Sequence, residues 1–177
     1  FNSPFSARSI GQFKSNYEFF RFNAYRNKLF SYYVIQLINI PVKSLDPAWS
    51  IVKTDIANAL NRSNGYALAE HIKKWIKETK MQLWILWDSE AEKDSKYYGV
   101  VVTEIIQKPL LRSLNIKIMT GIYREKWQHL IKHIEDFAWI NKCDSLELIA
   151  RPGWKKVLKP FGYKNTHVIL EKKKENK

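Results

Sequence analysis

Apolar residues recur along the chain first at alternating, then at helical, then again at alternating spacing, and the changes of spacing mark its elements. Residues 31–40 are rich in β-branched and aromatic side chains and stop at Pro41, which predicts a first strand. Asp46-Pro47 then supplies a carboxylate suited to capping free N–H groups and a proline tolerated in a first helical turn. Trp49, Val52, Ile56, Ala59 and Leu60 follow at helical spacing up to a turn at Asn64-Gly65. A second helix sets Leu68, Ile72, Trp75 and Ile76 on one face and Lys73, Lys74 and Lys77 on the other. Residues 81–87 are a continuous apolar run, as in a strand covered on both faces. Residues 88–96 read as a polar hairpin loop and residues 97–106 as the next strand, ended by Pro109. In residues 114–123, Leu114, Ile116 and Ile118 alternate with Asn115, Lys117 and Met119, which predicts a further strand. Residues 124–141 form one amphipathic helix with a core stripe of Trp127, Leu130, Ile131, Ile134, Phe137 and Ala138. A strand at 145–150, a short helix at 155–159 and a last strand at 163–171 complete the order.

Strands mixed with helices, without repeat or internal linker, predict an α+β (mixed α/β) domain over residues 31–171, its sheet flanked by helices. At 177 residues the chain can bury one substantial core, and a hydrophobic share of 45% excludes a disordered protein. No apolar run approaches the ~18 residues that span a bilayer, so no transmembrane segment is expected. The single cysteine, Cys143, has no partner for an internal disulfide and no companions for a Cys-rich zinc site. The net charge of +13 is concentrated at the ends: an aromatic, basic arm over residues 1–30 and a lysine-rich stretch ending in the tail 172–177. Such ends attract nucleic acid, an anionic surface or an acidic partner. The sequence starts at Phe1, and no targeting signal is read from it.

The most specific stretch is near the C-terminus. A strand-like Ser145-Leu146-Glu147-Leu148-Ile149-Ala150 leads through Arg151-Pro152-Gly153-Trp154 to the short helix, and then to Pro160-Phe161-Gly162-Tyr163. This ending, with the element order before it, resembles the C-terminal half of GNAT-superfamily N-acetyltransferases, in particular small GNAT-like proteins encoded by tailed phages. The resemblance implies a mixed, mostly antiparallel sheet, acetyl-CoA or another acyl-CoA as cofactor, and an amine as acceptor. It also implies that the strand at 114–123 splays from its neighbour and offers main-chain groups around Met119, Thr120, Gly121 and Ile122 to the pantetheine arm. The diphosphate would lie at the next helix start, beside Arg124 and Lys126, where a helix N-terminus favours anions. The family's loop has two glycines there, because close main-chain approach needs bare backbone. Aligned on Arg124, those places hold Trp127 and His129, with Gly121 just upstream as a substitute. The family's leaving-group acid, a tyrosine four residues before the glycine of the last turn, is replaced by Leu158. A base for the amine must be a carboxylate on a central strand, and Glu104 is the inward candidate by alternation.

Three functions stay open on these residues. One is an acyl-CoA-dependent N-acetyltransferase, weak because its diphosphate loop is degenerate. A second is a non-catalytic protein of the same fold, built into or assembling a phage particle with phage structural proteins as partners. A third is a basic protein associating nonspecifically with nucleic acid through Lys155, Lys156 and Lys159. The host cytoplasm or the virion is the expected location. His129 and His133 share a helix face that reads as solvent-facing, so no metal site is expected, and no P-loop, Gly-x-Ser-x-Gly or His-Glu-x-x-His sequence occurs.

Overall fold

The computed structural model describes residues 35–63, 65–92, 96–172 and 174. The arm at 1–30, the first residues of the predicted first strand and most of the tail at 172–177 lie outside the described residues. Five strands form one sheet in the order β1-β2-β3-β4-β5: β1 Ile35–Ile40, β2 Met81–Asp88, β3 Tyr97–Gln107, β4 Arg112–Gly121 and β5 Ser145–Leu148. The first four pair antiparallel in sequence order, with Ile35 opposite Asp88, Met81 opposite Glu104 and Gly99 opposite Gly121. The chain divides into a unit up to Glu147 and a second unit from Leu148 onward.

Two helices, α1 Leu45–Arg62 and α2 Ala69–Lys77, cover one face of the sheet. Trp49, Val52, Ile56, Leu60, Ile72 and Ile76 from these helices pack with Leu83, Ile85, Val100, Val102 and Ile118 from the strands. Asp46 is not the cap expected of it. α1 begins one residue earlier, at Leu45, and the Asp46 carboxylate binds Lys73 at 3.0 Å and Lys77 at 3.1 Å, tying α2 to the start of α1. Those bonds, Lys73 first, hold its carboxyl below the usual carboxylate range.

On the other face the predicted helix over 124–141 is interrupted. A single turn, α3 Arg124–Trp127, passes through a 3-10 turn at Gln128–Leu130 into α4 Ile131–Ile140. Trp127 leaves the helical region (φ −129°, ψ −9°), and its buried indole N–H donates to the Ile122 carbonyl at 2.7 Å. Leu37, Leu86, Val101 and Met119 meet Trp127, Leu130, Ile131 and Ile134 around a void of about 10 Å³, which places the expected stripe inward. Trp84 stacks edge-on against Phe137 on this face and donates its indole N–H to Thr103.

β4 departs from strict alternation. Val102 pairs with Ile118, but Thr103 pairs with Ile116, so Lys117 is an extra residue, a β-bulge. Directly opposed residues share a face. Ile118 therefore joins the α1–α2 face beside Val102, whereas Ile116 lies with Thr103 on the α4 face. The sequence reads Leu114, Ile116 and Ile118 as one stripe; the bulge divides them between two cores.

In the second unit, α5 Gly153–Leu158 ends in a 3-10 turn at Lys159–Phe161. Gly162 (φ +86°) closes it in the left-handed region, as the glycine-aromatic turn requires. The predicted strand at 163–171 is not formed: those residues have no strand or helix, and Val168, Ile169 and Leu170 are exposed. A strand needs a hydrogen-bonded neighbour, and β-branched composition alone does not provide one.

Candidate functional site

Glu104 lies on β3 opposite Asn115, on the face covered by α1 and α2. Its carboxylate is 3.3 Å from the Lys117 ammonium, and the bulge supplies that lysine. Both side chains are about a quarter exposed, enough to remain reachable from solvent. Tyr66, from the connection between α1 and α2, brings its ring to 5.9 Å from the same ammonium. Burial, and secondarily the Glu104 charge, push the Tyr66 hydroxyl above its ordinary pKa, so it stays a neutral donor at physiological pH. Trp75 from α2, Lys80 from the turn after it, and Met81 at the start of β2 complete an open cavity of about 290 Å³. Sequence reasoning reached Glu104 by alternation. It missed Tyr66, Trp75, Lys80, Met81 and Lys117, which come from the α1–α2 connection, α2, the turn after it, the start of β2 and the β4 bulge, and share no periodic spacing.

The residues expected to hold a cofactor lie beyond the bulge, at the far end of β4. The Ile122 N–H donates to the Tyr98 carbonyl at 2.8 Å, and the Ile122 carbonyl accepts from Trp127. Main-chain groups alternate between the two edges of a strand, so Thr120 points its amide toward β3 as Ile122 does. Met119 and Gly121 turn theirs to the opposite edge, the β5 side. β5 is anchored to β4 at the strand's start, where the Asp144 N–H donates to the Arg112 carbonyl and the Asp144 carboxylate accepts from the Arg112 N–H. The Thr120 hydroxyl accepts from Arg62 at 3.2 Å, the Met119 side chain packs in the apolar void, and Ile122 is exposed. Gly121 has a structural reason to be glycine: it abuts the Gly99 main chain across the sheet.

At the start of α3, Tyr123 adopts the left-handed region (φ +49°) and Arg124 is exposed. The Lys126 ammonium sits 4.8 Å from the Tyr123 ring centroid and 6.0 Å from that of Tyr98. Trp127 is buried and His129 exposed. The main-chain groups of Met119 and Gly121 thus lie on the β5 side of β4, and the helix start after them has bulky residues at 127 and 129. Burial, and then the charge of His133, lowers the His129 pKa. Among the described residues no group of three or more His, Cys, Asp or Glu is placed to hold a metal ion, and no helix is long and apolar enough to cross a membrane.

In the second unit Leu158 is buried, at the place the family gives to a proton-donating tyrosine. Lys155, Lys156 and Lys159 are all exposed, with Lys155 and Lys159 on one side of the helix by their spacing.

No family model matches the sequence and no curated protein matches it. Solved structures do resemble its fold. A probable acetyltransferase superposes with a TM-score of 0.58 at 11% identity, over 79% of this chain and 99% of its own. An aminoglycoside acetyltransferase from an uncultured soil metagenomic sample, in complex with trehalose, gives 0.57 at 11% identity over 80% and 97%. A predicted acetyltransferase from Clostridium acetobutylicum, with acetyl-CoA, gives 0.56 at 14% identity over 78% and 96%. The chain therefore has the mixed, mostly antiparallel fold of the GNAT-type acetyltransferases.

Proposed function

We propose that this chain is an acyl-CoA-dependent N-acyltransferase that acylates a small amine held in the Glu104 cavity. The observation that carries the reading is the place of that cavity: it opens beside the bulge of β4, in a fold shared with acetyltransferases along nearly their whole length. When bound, the cofactor supplies an acyl group activated as a thioester. The main-chain edge at Met119 and Gly121 would hold its pantetheine arm, and Arg124 would lie toward its diphosphate.

The chain's own part in the chemistry is positioning and proton transfer. A primary amine arrives as an ammonium ion, and only the neutral amine is a nucleophile. Glu104, 3.3 Å from the Lys117 ammonium, would accept that proton at its carboxylate. The Tyr66 hydroxyl would be available as a neutral donor at the cavity wall. Leu158 stands in the sequence at the position the family gives to its leaving-group acid, and it has no proton to donate. That predicts slow turnover, carried by the juxtaposition of the two reactants.

A second reading has one observation in its favour. Trp127 is sealed into the core where the family's loop needs a glycine. A protein of this fold that no longer binds acyl-CoA and serves in assembly, a phage particle included, fits that indole. Thermal melting with acetyl-CoA separates the two. A ligand at 100 times its dissociation constant adds about 2.7 kcal/mol to the folded state, so the acyltransferase reading expects a clear rise in Tm. An unchanged Tm at millimolar acetyl-CoA would leave the assembly reading alone.

A further inference from the structure

The cavity that holds Glu104 carries more information than the presence of a base. Its lining is Glu104, Lys117 and Lys80 together with Tyr66, Trp75 and Met81. The Lys80 ammonium is already bound by the Glu78 carboxylate at 2.7 Å, which leaves Glu104 and Lys117 as the charges a ligand meets. A polyamine would find a single carboxylate with a cation 3.3 Å from it. A simple monoamine would pair with Glu104 and leave Lys117 stripped of its partner in a half-buried position. A molecule bearing one ammonium and one carboxylate replaces the Glu104–Lys117 contact with two complementary ones and leaves neither group alone. The volume of about 290 Å³ matches a small ligand body. The indole of Trp75 and the ring of Tyr66 give the lining apolar surface for an apolar or aromatic body.

From this lining we infer that the cavity takes a small zwitterion with an aromatic or apolar side group, of the chemical class of a hydrophobic amino acid. Its ammonium faces Glu104, its carboxylate faces Lys117, and its side group lies against Trp75 and Tyr66. Naming this ligand as the acyl acceptor rests on the acyltransferase reading; the binding itself does not.

The test uses the full chain with no acyl donor and four probes: L-phenylalanine, phenethylamine, 3-phenylpropionate and spermidine, each titrated by calorimetry. Phenylalanine should bind tightest, with the two singly charged analogues at least ~10-fold weaker because each leaves one charge of the site unpaired. Lys117→Gln should weaken phenylalanine and strengthen phenethylamine, whereas Glu104→Gln should weaken phenylalanine and strengthen 3-phenylpropionate, because each removes the charge that the analogue leaves unpaired. Circular dichroism verifies that each variant is folded. Spermidine or phenethylamine binding as well as phenylalanine, or no phenylalanine binding at millimolar concentration, overturns the inference. Phenylalanine binding without any acetyl-CoA effect on melting would uphold the zwitterion site and remove the acyltransferase reading. Acetyl-CoA binding with no phenylalanine site would do the reverse.

Discussion

Gly99 and Gly121 face one another across β3 and β4, and an alanine at either position tests why they are glycines. A Cβ on Gly121 would run into the Tyr98 carbonyl oxygen and lie 2.9 Å from the Gly99 Cα. A Cβ on Gly99 would meet the Thr120 carbonyl oxygen and lie 2.7 Å from the Gly121 Cα. All of these are main-chain atoms, so no side chain can rotate away. Carbon contacts are comfortable from about 3.5 Å, so the strands would have to part by at least ~0.6–0.8 Å, and further to clear the two carbonyl oxygens. Overpacking of this kind costs about 1–3 kcal/mol, reduced by the ~0.4–1 kcal/mol that alanine gains by restricting the unfolded chain. A net loss of about 1–2 kcal/mol should lower Tm by ~3–6 °C for a chain of this length. The double variant should lose less than the sum, because one parting of the strands accommodates both methyl groups. Thermal melts of the three variants, with and without acetyl-CoA, measure this. If Gly121→Ala melted with the wild type and lost only the response to acetyl-CoA, its glycine would exist for ligand approach and the strand-packing explanation would be wrong.

Four further outcomes follow from the geometry. Thr103→Val leaves the buried Trp84 indole N–H without its 2.9 Å acceptor, which should cost about 1–3 kcal/mol in urea unfolding; Thr103→Ser should recover most of it. Under the proposed activity, Glu104→Gln should lower kcat/KM for acyl transfer by ~10²–10⁴-fold while Tm hardly moves, because its ion pair is partly exposed; an undiminished rate would remove Glu104 from the chemistry. The lowered carboxyl pKa of Asp46 means that its ties to Lys73 and Lys77 stabilise the fold above its ordinary pKa of 3.8 and are lost as pH falls through the lowered folded value. The stability gap between wild type and Asp46→Asn should therefore close in acid, and a gap that persists at pH 2 would contradict the assignment. Tyr97 donates to Asp55 at 2.7 Å, and burial first, then that bond, raises its pKa well above the ordinary 10.0. The folded state then keeps a proton that the unfolded chain loses, so stability should fall as pH rises above about 10, and Tyr97→Phe should flatten that fall.

Element order was legible because alternation and helical spacing seldom imitate one another over more than a few residues. β1 to β4 and both helices of the first face could be read this way; the Gly162 turn came from the resemblance of the Pro160-Phe161-Gly162-Tyr163 ending. The departures each have a local cause. The bulge at Lys117 is invisible to alternation, because Leu114, Ile116 and Ile118 are apolar and both faces of β4 are covered. The break at Trp127 arises from a hydrogen bond to a main-chain carbonyl, which no periodicity records. Val168, Ile169 and Leu170 have strand composition, but pairing depends on a neighbour that composition does not name. At the site, Glu104 could be reached because a carboxylate within an apolar strand stands out. Tyr66, Trp75 and Lys80 could not, since only the packing of the α1–α2 connection and α2 on the sheet brings them to it. Gly121 could be noticed but not explained, since a glycine looks the same whether it accommodates a ligand or an opposing strand.

The extra residue in β4 also locks its pairing with β3. The segments on either side of Lys117 are out of phase, so a slide of one position would carry Asn115 or Thr120 into an apolar layer. A slide of two positions would preserve that parity but move the kink away from the only place where β3 accommodates it. Deleting Lys117 should therefore do more than remove a charge: it would merge two half-strands into one rhythm and invite misaligned, aggregation-prone pairings that the native chain avoids.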